Sequence, residues 1–165
     1  MIIDKVELIN FRNFEAADIA FKESTLIIGV NDVGKTNLIH ALRILLDKSL
    51  SDRDIEPNES DFNIKSDGTQ SDDFIITICF SNIDEEAVLA VLKGYVSNEG
   101  KTIFRFTASR KNLDYKLYAG SDVEELEEIN SRFYLKYINL RYVRSQRDLQ
   151  KFIDIEKSNC LKYLN

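Results

Sequence analysis

The stretch Gly29-Val30-Asn31-Asp32-Val33-Gly34-Lys35-Thr36 matches the phosphate-binding pattern G-x-x-x-x-G-K-[ST] at every fixed position. Such a loop forms where a strand turns sharply into a helix, so it prescribes the elements on either side. Gly29 and Gly34 let the backbone curl tightly, with N–H groups turned toward phosphate oxygens. Asn31, Asp32 and Val33 lend their amides to the same cradle. Lys35 brings a compact positive charge near the β- and γ-phosphates, and the Thr36 hydroxyl is a hard oxygen ligand suited to Mg²⁺. The helix opening at Thr36 adds the positive end of its dipole.

The flanking residues satisfy that prescription. Upstream, Ser24-Thr25-Leu26-Ile27-Ile28 is a short apolar, β-branched run, which predicts a buried strand feeding the loop. Downstream, Leu38, Ile39, Leu42, Leu45 and Leu46 recur at helical spacing, while Arg43, Asp47 and Lys48 are free to face outward.

At 165 residues the chain is the size of one ordinary domain. Its net charge of −6, from 22 basic and 28 acidic side chains, argues against gripping DNA alone, because phosphate contacts need clustered Lys and Arg. A nucleotide needs only a local positive site. Cys79 and Cys160 make no disulfide framework, and Cys79, inside an apolar run, reads as a small buried side chain. The chain opens on a strand pattern rather than a signal peptide, and no apolar run approaches the roughly 20 residues of a membrane span. A cytoplasmic protein with no membrane partner is expected.

Along the chain, residues 1–10 read as a strand, 10–14 as a turn, and 17–21 as a second strand. Residues 49–73 are polar and acidic and hold the only proline, Pro57, which predicts a long exposed loop with at most one short helical turn. The run Phe74 to Phe80 is the strongest strand signal, followed by a helix over 84–92. Strands are expected at 101–108 and 115–119, joined through Asn112-Leu113-Asp114. An acidic helix or helical turn over 123–133, a strand over 134–143 and a loosely helical tail over 148–164 complete the pattern. The fold class is mixed, α+β or α/β: strands feeding a phosphate loop and helix, then a mostly antiparallel section, all in one unit over 1–165.

The opening segment Val6-Glu7-Leu8-Ile9-Asn10-Phe11-Arg12-Asn13-Phe14 resembles that of the RecF/SMC-type branch of ABC ATPases. The phosphate loop and its helix, Gly29 to Asp47, resemble the overcoming-lysogenization-defect (OLD) endonucleases, the Gabija-type anti-phage nucleases among them. The similarity is dense over 1–48, looser to residue 80, and beyond that rests on element order and one late segment, Leu140 to Leu149. The resemblance implies the N-terminal lobe of an ABC-type ATPase head that binds ATP and Mg²⁺. It also implies a partner in the remainder of the head, a separate nuclease domain, a homo-oligomer at full length, and DNA engaged only through the whole assembly. It places Arg12 near the nucleotide, against the alternative of a surface arginine in a turn. Asn37 either adds a contact to the phosphates or points to solvent. Gln146 is the candidate sensor of Mg²⁺ and the γ-phosphate, with Gln150 as the alternative register and an ordinary polar loop as the bland reading.

Parts of an ATPase are missing from the sequence. Hydrolysis in this class uses an apolar strand ending in Asp-Glu, and no segment fits. Asp84-Glu85 lies three residues past its strand and suits a helix first turn. The apolar run before Asp154 and Glu156 is too short. There is no Leu-Ser-Gly-Gly signature and no acidic metal-binding domain. His40 reads as a packing or surface histidine, and the acids Asp52, Asp54, Asp72 and Asp73 as solvated loop residues. Three readings follow: an ATP-binding lobe of an OLD-like endonuclease, a nucleotide-binding regulatory module without hydrolysis, or a RecF-like DNA-repair ATPase lobe.

Overall fold

A computed structural model of the chain describes residues 1–30 and 34–142. Six strands form one sheet: β1 (Ile2–Phe11), β2 (Phe14–Ala20), β3 (Asp73–Ser81), β4 (Thr102–Ser109), β5 (Asp114–Gly120) and β6 (Glu127–Ile129). Their order is β2-β1-β3-β4-β5-β6, and every pairing is antiparallel. Two α-helices accompany it, α1 (Lys35–Leu46) and α2 (Glu86–Val91).

Register puts the large apolar side chains on one face. Val6 lies opposite Ile78, Ile78 opposite Phe104, and Phe104 opposite Ala119. One pair along, Leu8, Ile76, Phe106, Leu117 and Ile129 repeat the row. Because side chains alternate along a strand, such directly opposed residues share a face, and all of these are buried. Leu38, Ala41, Leu42 and Leu45 of α1 join the same cluster. The helix therefore lies over the sheet with its first residue at the end of the phosphate loop.

The structure departs from the sequence expectations in five places. The predicted strand at 24–28 is absent: residues 25–30 carry no regular structure, and Leu26 and Ile28 are 84% and 81% exposed. A β-branched run becomes a strand only with a neighbour to complete its ladder, and no described residue supplies one. The described strands all pair antiparallel, in keeping with the mostly antiparallel section expected after the loop.

The loop expected at 49–73 is instead pinned. It forms 3₁₀ turns at Arg53–Ile55 and Glu59–Asp61, and Ile55, Asp61, Phe62, Asn63 and Ser71 are buried. Phe62 sits edge-on to Phe74, ring centroids 5.1 Å apart, which ties the polar stretch to the core. Of the acidic helix or helical turn expected at 123–133, a single 3₁₀ turn forms, Val123–Glu125, and the rest departs from it, beginning with β6. Glu124, Glu125, Glu127 and Glu128 would repel at helical spacing, and the strand lets Lys116 reach Glu128 at 2.8 Å instead. The strand expected at 134–143 is a 3₁₀ turn, Phe133–Lys136, with irregular chain after it. Its aromatic residue is spent on packing: Tyr134 stacks on Phe104 with centroids 3.8 Å apart. Asp47, expected to face outward, is 4% exposed and receives Arg43 and Ser49.

Candidate phosphate-loop site

The β1–β2 turn, the start of α1 and the 3₁₀ turn at Glu59–Asp61 converge beside Gly34, the second glycine of the motif. Gly34 has φ +99°, a left-handed conformation that favours glycine. A Cβ there would also come within 2.5 Å of Asn13 Nδ2 and 2.8 Å of the Phe14 ring. The second motif glycine is thus demanded twice, by backbone and by its close neighbour from the β1–β2 turn.

α1 begins directly at Lys35, with no side-chain cap and no acidic residue in its first turn. Among the described residues no side chain accepts from its leading N–H groups, the groups that an anion at a helix start would use. Lys35 Nζ donates to the carbonyls of Gly29 at 2.7 Å and Val30 at 2.5 Å. The ammonium is thereby held over the loop by exposed acceptors that a phosphate could replace. Thr36 is exposed in the first turn of α1. These features fit a Mg²⁺–nucleotide: a left-handed glycine, free amides, a tethered cation and a hard oxygen. Asn31, Asp32 and Val33, and the candidates Gln146 and Gln150, lie outside the described residues.

Arg12 is brought to the same place. Its Nε donates to Asp61 Oδ1 at 2.8 Å and its Nη1 to Asn37 Oδ1 at 3.1 Å. Asn37 Nδ2 donates in turn to Asn13 Oδ1 at 2.7 Å. Asn37 therefore spans the β1–β2 turn instead of pointing to solvent. An open cleft of about 720 Å³ lies here, lined by Arg12, Asn13, Asn37, Ser60, Phe62, Asn63, Ile64 and Gln70. Three of the residues that build this rim were not anticipated from sequence: Asn13, Asp61 and Asn63. The Asn58-x-x-Asp61 spacing of a capping box was the one local signal for Asp61.

His40 lies one turn along α1, its ring near-parallel to Phe11 with centroids 6.2 Å apart. Burial first, then the positive charges of Arg12 and Arg43, hold its pKa below the ordinary value. It is the only histidine, so its effect can be isolated. A group that binds protons more weakly in the folded state contributes stability present above its unfolded pKa of about 6.5 and lost as pH falls through the folded value. Urea midpoints should therefore decline from pH 7 to 5, and His40→Phe should flatten that decline. An imidazole titrating at 6.5 or above in the folded chain contradicts this.

Asp84 and Glu85 stand exposed ahead of α2, not at a strand end. Among the described residues, no group of three His, Cys, Asp or Glu side chains is placed to hold a metal ion.

Comparison with known proteins gives a consistent picture. A family model described as an AAA ATPase domain matches residues 1–164. The endonuclease GajA of Bacillus cereus (strain VD045) is 33% identical over 142 residues, covering 80% of this chain and 24% of that protein. The DNA replication and repair protein RecF of Oceanobacillus iheyensis is 48% identical over 46 residues, 27% of this chain and 12% of its own length. In fold, the chain superposes on an SMC ATPase, studied for ATP-driven dimerization and DNA-stimulated activation, with TM-score 0.67 at 18% identity over 99% of both chains. The chain thus spans about a quarter of the endonuclease it resembles, and less of RecF.

Proposed function

Because the chain belongs to the AAA ATPase domain family, we propose that it is the ATP-binding lobe of an OLD-like, ATP-dependent endonuclease acting in anti-phage defence. The observation that carries the reading is the uncapped start of α1 behind a left-handed Gly34, with Lys35 held over the loop by exposed carbonyls. Lys35 offsets phosphate charge, the amide N–H groups of 29–36 donate to phosphate oxygens, Thr36 offers Mg²⁺ an oxygen, and Arg12 adds a second cation. Bound ATP supplies a phosphoanhydride whose presence or cleavage regulates the pairing of heads. The similarity to GajA supports an endonuclease as the whole protein.

The remainder of the head and a nuclease domain are the expected partners. The exposed apolar side chains of Leu26, Ile27 and Ile28 offer that remainder a surface to cover. At full length a homo-oligomer in the cytoplasm is expected, touching DNA only as the assembly. Among the described residues no helix is long and apolar enough to cross a membrane.

The second reading, a module that binds nucleotide without hydrolysing it, is favoured for this chain by one observation. β3 ends at Ser81 and the chain passes through Asn82 and Ile83 before any acid, so no Asp-Glu pair sits at a described strand end. A RecF-like repair ATPase shares the same lobe and draws support from the short match to RecF. Calorimetric titration with Mg-ATP, followed by a phosphate-release assay, separates these. One nucleotide bound per chain without sustained phosphate release is expected of the lobe. Sustained release would show that a full hydrolytic site is present, and no binding by a folded chain would remove all three readings.

A further inference from the structure

Arg12 is over-determined for a residue in a surface turn. Its backbone N–H donates to the Asp61 carbonyl at 2.8 Å, and its own carbonyl accepts from Asn63 Nδ2 at 2.6 Å. Its Nε is paired with Asp61 Oδ1 at 2.8 Å and its Nη1 with Asn37 at 3.1 Å. These bonds hold it at φ +50°, a left-handed conformation that residues with side chains rarely adopt. Asp61 is itself fixed: its Oδ2 accepts from the Asn58 N–H at 3.0 Å, and its side chain is only 4% exposed. A buried carboxylate is costly unless paired, and its one charged partner here is Arg12, which is 26% exposed at the cleft beside the phosphate loop.

We propose that Asp61 is a positioning residue for the nucleotide: it fixes the Arg12 guanidinium at the rim of the phosphate loop, so that the cation is in place before a triphosphate binds. The inference rests on the ATP-binding reading above. Two effects oppose each other when Asp61 is neutralised. Removing a negative charge near an anionic ligand strengthens binding by Coulomb's law. Releasing a long, flexible arginine means that its rotamer freedom is lost again on binding, which weakens it. Positioning requires the second to win.

The test is a double-mutant cycle on the full chain, read by calorimetric Mg-ATP affinity with thermal melts alongside. Asp61→Asn is expected to weaken binding about 3- to 10-fold, the range for one side chain left unordered. Arg12→Gln should weaken it at least as much, and the double variant should bind no worse than Arg12→Gln alone. Unchanged or tighter binding by Asp61→Asn overturns the proposal, as does a double loss that multiplies the two single ones, since that marks a general structural role. If Asp61→Asn does not fold, Asp61→Glu serves: a loss that vanishes in the Arg12→Gln background supports positioning, and wild-type affinity refutes it. Lys35→Ala, run in parallel, reports on the phosphate-loop reading separately, because it touches neither Arg12 nor Asp61.

Discussion

Lys35→Ala is expected to lower Mg-ATP affinity by about 2–4 kcal/mol, on the order of 30- to 700-fold, while the chain stays folded. The loss corresponds to one or two charge-assisted hydrogen bonds to phosphate, each worth roughly 1.5–3 kcal/mol. Stability should hardly change, because of what Lys35 touches in the folded chain. Its ammonium donates to the carbonyls of Gly29 and Val30, both in an exposed segment where water replaces the lost donor. Surface changes of that kind stay within about 0.5 kcal/mol. AMP provides the internal control, since a cation placed for the β- and γ-phosphates has little to hold there. A folded Lys35→Ala chain that binds Mg-ATP as tightly as the parent sinks the phosphate-loop assignment.

Arg132→Ala is expected to destabilise the fold by about 3–5 kcal/mol, the range for breaking a buried charged network. The last turn of a helix leaves carbonyls without intrahelical donors. In α1 three consecutive ones are met by the chain at 132–140. Arg132 Nη1 donates to Ile44 O at 3.0 Å, Tyr134 Oη to Leu45 O at 3.0 Å, and Leu140 N–H to Leu46 O at 2.8 Å. Arg132 Nη2 reaches onward to Leu50 O at 2.7 Å, and the residue is 8% exposed. A buried cation at the negative end of α1 also gains from the helix dipole. Removing it strands buried acceptors and opens a cavity, so two effects need separating. Arg132→Met restores most of the volume without the donors. If the donors carry the effect, Arg132→Met loses nearly as much as alanine and Arg132→Lys, a single point donor, falls between. Urea midpoints at constant m-value measure this. A loss below about 1 kcal/mol for alanine refutes the clamp.

Both arguments show what was legible along the chain. Helix α1, starting directly behind Gly34, was, because a 3.6-residue apolar period and the glycine at its start are both local signals. β1, β3 and the β4–β5 hairpin were legible for the same reason: alternation and apolar runs survive whatever they pack against. Residues 126–142 depart from the expectation because their acids and aromatics satisfy helix and strand patterns alike. Pairing of Ile129 with Leu117 and stacking of Tyr134 on Phe104 decided it.

The sequence by itself determined the helix α1 and the left-handed glycine in front of it, since a 3.6-residue apolar period and a glycine at its start are local features that need no distant partner. Only the tertiary structure decided what surrounds them. It buried Asp61 beneath Arg12, placed Arg132 under the end of α1, and left Leu26 and Ile28 exposed for want of a neighbouring strand. Each of these turns on residues some fifty to ninety positions apart, or on a partner strand absent from the described chain, and a local pattern carries no record of such neighbours.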